Sequence, residues 1–552
     1  MLWVMCVLLA APGGETLYNG IELPENWPPK LPEQAPKPTV PPYLTSPPDV
    51  ICIDVGRQLF VDDFLIAKTT LKRTLHSAKP HPANPLLGPD KSWEREGVRK
   101  GRRVAYAMPF SDGVWYDPAD KLYKMWYLAG MLYATCYATS KDGIHWDKPN
   151  LDVKPGTNIT HPGNRDSCTI WMDLEERDPK RRYKMFRFQK APKRGLVLHF
   201  SEDGIHWSGE IAWAGQCHDR TTVFYNPFRK VWVCSIKATL PPKPPYKLRV
   251  RRYSESADPI QALRWGGYGD PRLWLGIERL DPAHAYLTAP SVVYNLDAVG
   301  YESVLLGLFS ILQAPPDKET GRPKRNQVFA GFSRDGFHWH RPYARPLLGV
   351  SERKGDWNWG NVQSVGGCCL VVGDELRFYH SGRAGTGRLG KDSKFSDEAF
   401  AGLAVLRRDG FASMDAGAQE GTLTTRKLRF KGRYLFVNVN ASKGELRAEV
   451  LDDKGHVVPK YSKSDCQPVR VDKTLVRIQW RGATDLSSVA GELVRLRFHL
   501  RSGQLYSFWV SPDASGASNG YVAAGGPGFT GATDTVGAVG YRGASHGQPR
   551  PR

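Results

Sequence analysis

Two short stretches place an acid beside an arginine in one register, Asn164-Arg165-Asp166 and His218-Asp219-Arg220. Each Asp precedes a Ser/Arg-x-Thr step into an apolar run that ends at Asp173 or Asn226. Packing of such runs needs neither the acid nor the arginine, so the repetition points to a site. Two carboxyl groups, one ionised and one protonated, are the equipment for acid–base or nucleophilic cleavage of an acetal. Asp166 and Asp219 are candidates for base, nucleophile or transition-state stabiliser, with Arg165, His218 and Arg220 beside them as binding groups. The protonated partner should be a carboxyl inside an apolar strand, where desolvation raises its pKa. Glu302, in Gly300-Tyr-Glu-Ser-Val-Leu-Leu-Gly-Leu-Phe, fits that description. Competing readings are a turn acid paired with its neighbouring arginine for the two aspartates, and a salt bridge across the sheet for Glu302.

Other groups suit binding. Asp62, in Gln58-Leu-Phe-Val-Asp-Asp-Phe, is placed to reach a ligand from the first strand or to cap a turn, and Glu94 lies in a charged loop that reads as a rim. Asp356-Trp357-Asn358-Trp359-Gly360-Asn361 offers indole faces on which a sugar ring stacks, with amides for its hydroxyls; the alternative is tryptophan as filler. His380 and Arg383, in Tyr379-His-Ser-Gly-Arg, suit a carboxylate or sulfate on the ligand, and packing explains them almost as well.

The elements that must position these groups follow from an internal repeat. Ser140-Lys-Asp-Gly-Ile-His-Trp146, Ser201-Glu-Asp-Gly-Ile-His-Trp207 and Ser333-Arg-Asp-Gly-Phe-His-Trp339 are copies of one turn. Their spacing leaves room for a decayed copy around Ser256, Asp258 and Trp265, and Arg408-Asp-Gly-Phe411 is a partial fifth. Between the turns, strands alternate with Pro-containing turns, so one period supplies an antiparallel sheet of about four strands that cannot bury both faces alone. Five such sheets arranged radially can, which predicts an all-β fold: a five-bladed β-propeller over 51–422. The innermost strand of each blade lines a central funnel, and polar residues at the starts of those strands converge on a ligand. His145, His206 and His338 recur with the turns and are read as architecture.

Beyond the repeat, alternating strands from Leu428-Arg-Phe to Leu505-Tyr-Ser-Phe-Trp-Val predict a β-sandwich over 423–512, followed by a Gly/Ala/Ser-rich extension, 513–552, with a disordered end. Before the propeller, 22–50 is a proline-rich arm of extended character, and 1–21 is signal-like. Its apolar run over 2–11 lacks a basic start but resembles the core of an export signal, so a secreted or periplasmic location is expected, and no later run is long enough to cross a bilayer.

The net charge of +20, from 76 Lys and Arg against 56 Asp and Glu, is compatible with an acidic partner. Its clusters are interrupted by strand-like apolar residues, which reads as solvated outer strands rather than a nucleic-acid groove. The nine cysteines contain no C-x-x-C pair. Nucleotide-loop, zinc-protease and serine-hydrolase motifs are absent too, so no cofactor or metal is implied.

On the turns, Gln58-Leu-Phe-Val-Asp-Asp-Phe-Leu, Gly355-Asp-Trp-Asn-Trp-Gly-Asn361 and the stretch from Gly520 to Phe529, the chain resembles the five-bladed propeller glycosidases of glycoside hydrolase families 32 and 43. Within that clan it is most similar to family 32-like secreted proteins of planctomycete-type bacteria. The resemblance implies an exported glycoside hydrolase working on a poly- or oligosaccharide, with acidic or sulfated glycans among the options. The Trp-Met-Asn-Asp-Pro-Asn and Glu-Cys motifs of family 32 are missing. A non-catalytic carbohydrate-binding propeller and a protein-binding scaffold are the alternatives.

Overall fold

The computed structural model describes residues 14–32, 40–99, 102–130, 132–240, 249–267, 269–277, 281, 291–313, 322, 325–384 and 397–542. Four-stranded antiparallel sheets follow one another along the chain as the repeat predicts. Blade two is Arg165–Met172, Tyr183–Gln189, Gly195–Ser201 and Ala212–Trp213; blade three is Thr222–Asn226, Val231–Thr239, Arg249–Ser256 and Arg272–Leu275. In blade one the inner strand is broken into Arg102–Met108 and Val114–Asp117, followed by Leu122–Ala129, Ala134–Ser140 and Ile159–Pro162. Blade four comprises Val292–Glu302, Val304–Gln313 and Arg325–Ser333, with an outer edge bridged through His340 and Leu348.

Blade five closes the ring with chain from both ends. Asn361–Gln363 and Leu370–Val372 pair with Glu375–Arg383, which pairs with Asp397–Arg407. Its outermost strand is Lys79–Pro80, antiparallel to Val405 and Ala404, with Leu87 bridged to Ala401. Neighbouring blades are joined by short parallel contacts, Val104–Tyr106 to Asp397–Ala399 and Asn326 to Asn361.

The repeated turn is a capped one. Asp142 Oδ1 accepts from the backbone N–H groups of Ile144 (2.8 Å) and His145 (2.9 Å), and Gly143 takes φ +76°. Asp203 and Asp335 do the same, and the decayed copy keeps the device, with Asp258 accepting from Ile260 and Gln261. Burial pushes the Asp203 carboxyl up, but the hydrogen bonds from His206 and the backbone outweigh it and hold it at about 2. Each full turn is clipped to the blade before it: Trp126 Nε1 donates to Gly204 O, Trp274 Nε1 to Phe337 O, and Tyr379 Oη to Gly143 O. The partial fifth copy has diverged, and Asp409 is buried against Tyr301, Ser507 and Arg57.

Strand pairing divides the chain differently from the 51–422 and 423–512 ranges expected. Ile66–Thr69 and Lys72–Leu75, read as the start of the propeller, pair with Gly421–Thr425 and Ala412–Ala416 in the two sandwich sheets, and Gln58–Leu59 pairs with Gly503–Ser511. The physical reason is non-local: these strands find their edge partners across more than 330 residues of sequence, beyond any local pattern. Arg495–Arg501 shows the alternation that builds the sandwich, with Leu496, Phe498 and Leu500 buried and arginines and His499 turned outward. Each of these apolar side chains contributes ~1.5–3 kcal/mol by leaving water.

Both flanking segments pack onto the folded body, the N-terminal one into the core it shares with the sandwich. Leu17, Ile21 and Leu23 are buried, so the described part of the expected signal-like segment, 14–21, belongs to the folded body; its apolar run over 2–11 lies outside the described residues. The arm contains one helical turn, Pro42–Thr45, which inserts Tyr43 between Phe64 and blade four. At the far end, Tyr521–Val522 pairs with Tyr301 and Glu302, and Ala524 and Gly525 bond Tyr116, Cys369 and Val371, sealing the lower end of the central channel. Close approach explains the glycines there: a Cβ on Gly526 would lie 1.8 Å from Val371 O. The described cysteines form no disulfide.

Candidate functional site

The upper ends of the inner strands meet in a polar cluster. From blade two, Arg165 is wholly buried and grips Asp112 of blade one through two nitrogens, Nη2–Oδ1 at 2.8 Å. Asp166, next in sequence and facing the other way, is held by Lys190 Nζ at 2.9 Å and lies 3.6 Å from Arg220 Nη2. Blade three contributes Asp219, ion-paired with Lys237 from the adjacent strand, and Arg220, whose guanidinium lies 3.6 Å over the Phe110 ring. Asp166, Asp219 and Arg220 therefore lie together. His218 precedes them and its carbonyl accepts from Thr221.

The backbone of Arg220 is strained, with φ +64°, a region that costs a non-glycine residue about 1–3 kcal/mol. Its N–H donates to Ser167 Oγ of blade two, which fixes the bend. Asp219 is partly open to solvent, its side chain 30% exposed. Burial raises its pKa, but Lys237, Arg220 and Lys190 outweigh burial, and the carboxyl sits below the usual aspartate value.

Blade four supplies a carboxyl that the sequence reading passed over. Asp297 lies five residues before Glu302 on the same strand. Its Oδ2 accepts from Asn295 Nδ2 at 2.9 Å and Val365 N–H at 2.8 Å, while Asn295 reaches Ser364 of blade five and Ser111 of blade one. Burial pushes the Asp297 carboxyl above its usual value; hydrogen bonds from Ser111 and Val365 and the charges of Arg220 and Arg251 only partly offset this. The pattern that marks Glu302, an acid in an apolar strand, also occurs at Val292-Val-Tyr-Asn-Leu-Asp297. Position along the strand separates the two, because Asp297 sits at its midpoint against Asn295 and Val365, whereas Glu302 is its last residue, at the lower end against Arg408 and Ser518.

Glu302 itself is a correction. It is fully buried at the lower end of the propeller, bound to Arg57 N–H and Ser518 Oγ, and ion-paired with Arg408 at 3.1 Å. Asp62 is another: it is buried against Arg334 at 2.8 Å, locking the sandwich side to the turn of blade four. Glu94 is no rim residue either, since it is fully buried against Tyr127 Oη (2.7 Å), Lys148 and the N–H of Lys91.

Blade five is mixed. Trp359 is only 2% exposed and lies under Arg322, so it is filler rather than a platform. Trp357 is half-buried and stacks on His380 with centroids 5.7 Å apart; Gly382 and Gly402 make room, as a Cβ on either would fall within 2.2 Å of the indole. Burial takes His380 down to about 4, so it is neutral under ordinary conditions. Asp356 is turned back onto Ser351 and Arg353, Asn358 is half-buried, and Asn361 pairs with Arg383 in the strand register. Arg383 is engaged by Asp397 and Tyr106 Oη.

No protein-family model matches the chain, and no curated protein matches it. Among solved structures it is similar to a member of the GH130 family of mannoside phosphorylases, described as containing glycoside hydrolases that target β-1,2 mannosidic linkages in Candida mannan: 14% identity, 65% of this chain, 99% of that one, TM-score 0.41. An N-acetylgalactosamine deacetylase from F. plautii matches at 14% identity over 61% of this chain and 96% of its own, TM-score 0.40. A thermostable family-43 glycoside hydrolase matches at 12% identity over 56% and 93%, TM-score 0.38. At such identities and scores these likenesses leave the chemistry of this chain to its own residues.

Proposed function

We propose that the protein is a glycoside hydrolase working in the propeller funnel. The observation that carries this reading is the set of funnel carboxyls pushed in opposite directions around Arg220, Asp219 below the ordinary aspartate value and Asp297 above it. Asp219 is the ionised partner, acting as nucleophile or as base toward water. Asp297 is the proton donor to the leaving oxygen; with Oδ2 held by Asn295 and Val365, the proton belongs on Oδ1. Asp166 orients Arg220 and Lys190 at the sugar. Export, and kinship with secreted family 32-like proteins, belong to the same proposal and rest on the apolar start and the repeated turns.

A second reading is a carbohydrate-binding propeller without turnover. The firm pairing of Asp166 with Lys190 and Asp219 with Lys237 favours it. Reducing-end release from a glycan panel, run on the wild type and on Asp219→Asn and Asp297→Asn, separates the two. Turnover lost in both variants supports the hydrolase; binding without release from any glycan supports the second reading; unchanged turnover in both variants removes the assignment.

A further inference from the structure

Four cations crowd the side of the funnel formed by blade three and the start of blade four. Arg220 and Arg249 lie 5.4 and 5.5 Å from the ring of Tyr294, Arg251 donates to Ser235 and to Tyr294 O, and Lys237 stands beside them. Among the described residues, the carboxyls within reach are already engaged by closer partners: Asp219 by Lys237, Asp166 by Lys190, Asp112 by Arg165, and Asp297 by Asn295 and Val365 N–H. Arg220 is 3% exposed, and its Nε and Nη1 are buried without a hydrogen-bond partner among the described residues, as is Nη1 of Arg249. Leaving such donors unmade is costly, and more so when they carry charge. Burial holds Arg251 down to about 9 and also lowers Lys237, as expected where buried positive charge outruns its counter-charge. The cluster is reached from solvent beside Asp219, Lys190 and Tyr294, none of which is fully buried.

We propose that Arg220 and Arg249, with Tyr294 between them, form a subsite for a negatively charged substituent on the sugar, a carboxylate or a sulfate ester. The inference rests on the carbohydrate reading above and names its substrate class. Guanidinium N–H groups pair with two oxygens of a carboxylate or sulfate at once, which an ammonium does less well, and the site offers two guanidinium groups. Tyr294 supplies the apolar wall that a sugar ring packs against.

The test uses matched probes on the full chain: a galacturonate tetramer against its carboxyl-reduced form, and a 6-O-sulfated glucose tetramer against the unsulfated one. Binding is measured by calorimetry in the Asp219→Asn background, so that the result does not depend on turnover. At least one charged probe is expected to bind tenfold or more tightly than its neutral match, and which pair shows it distinguishes carboxylate from sulfate. Arg220→Gln or Arg249→Gln should erase that difference, and Arg220→Lys should restore only part of it. Thermal melts confirm folding, and Arg249→Gln carries the test if Arg220→Gln does not fold. A charged preference that persists in both variants, or that falls equally on removing exposed Lys68 and Lys72, overturns the subsite. So does equal binding of charged and neutral probes. Charged preference with no hydrolysis of any glycan would sink the hydrolase and leave the subsite standing.

Discussion

The inner strand Val292–Glu302 carries two acids in different ionic worlds. At its midpoint, Asp297 shares the funnel with arginines and lysines that outnumber the described carboxylates, and Arg251 is held down to about 9. At its lower end, Glu302 joins Asp409 and Asp534 around Arg57 and Arg408, and both arginines are pushed above their ordinary value, the nearby acids and Tyr541 outweighing burial. One cluster is closed by its own counter-charges and ties propeller, sandwich and C-terminal segment together. The other is left electrostatically incomplete. Burial alone, then, does not separate a structural acid from a chemical one; the balance of charge around it does.

The contrast can be broken most forcefully at the closed end. Glu302→Ala leaves Arg57 and Arg408 short of a carboxylate in a dry interior and should cost about 3–5 kcal/mol in chemical denaturation. An effect below about 1 kcal/mol would mean that the junction is not the brace described. At the open end, Asp219→Asn should lower turnover by roughly 10²–10⁴-fold while moving the midpoint of thermal unfolding little. Loss of folding in that variant would erase the distinction between the two clusters.

Acidity gives a finer probe. Turnover requires Asp219 ionised and Asp297 protonated, so it should rise as pH climbs through the depressed Asp219 value and fall as pH passes the raised Asp297 value, giving an acidic optimum. Asp297→Asn should remove the alkaline limb from whatever activity remains, and an unchanged profile would exclude Asp297 as the donor. The smallest effect calibrates the background: Asp203→Ala deletes one turn cap outside both clusters and should cost on the order of 1 kcal/mol, read as a shift in denaturant midpoint without change in turnover.

What could be seen in the chain beforehand follows the range of the forces involved. The Asp-Gly turns are set by contacts over two or three residues, and even the decayed copy at Asp258 behaves as its sequence suggests. Asp166 and Asp219 were legible because the repeat places them at equivalent strand starts. Glu302 is not told apart from Asp297 by sequence, because an acid in an apolar strand gives the same local pattern wherever along the strand it lies. Lys190 and Lys237 give no signal, since each meets its aspartate only through the register of the hairpin within its own blade, 18 to 24 residues along the chain. Ile66–Leu75 was given to the propeller because nothing local tells a strand which sheet will take it.

The pairing of Lys79–Pro80 with Ala404 and Val405 also bears on how the chain comes into being. A ribosome releases the four middle blades before it has made the strand that the N-terminal segment must grip, so the ring stays unlatched through most of synthesis. Closing it joins positions more than 300 apart, a loop of the kind that slows folding and exposes unpaired edges meanwhile. The seal around Tyr521 comes later still. Assembly of this protein is therefore governed by its last-made third, and lesions near the C-terminus should trap a ring that has formed its blades and failed to shut.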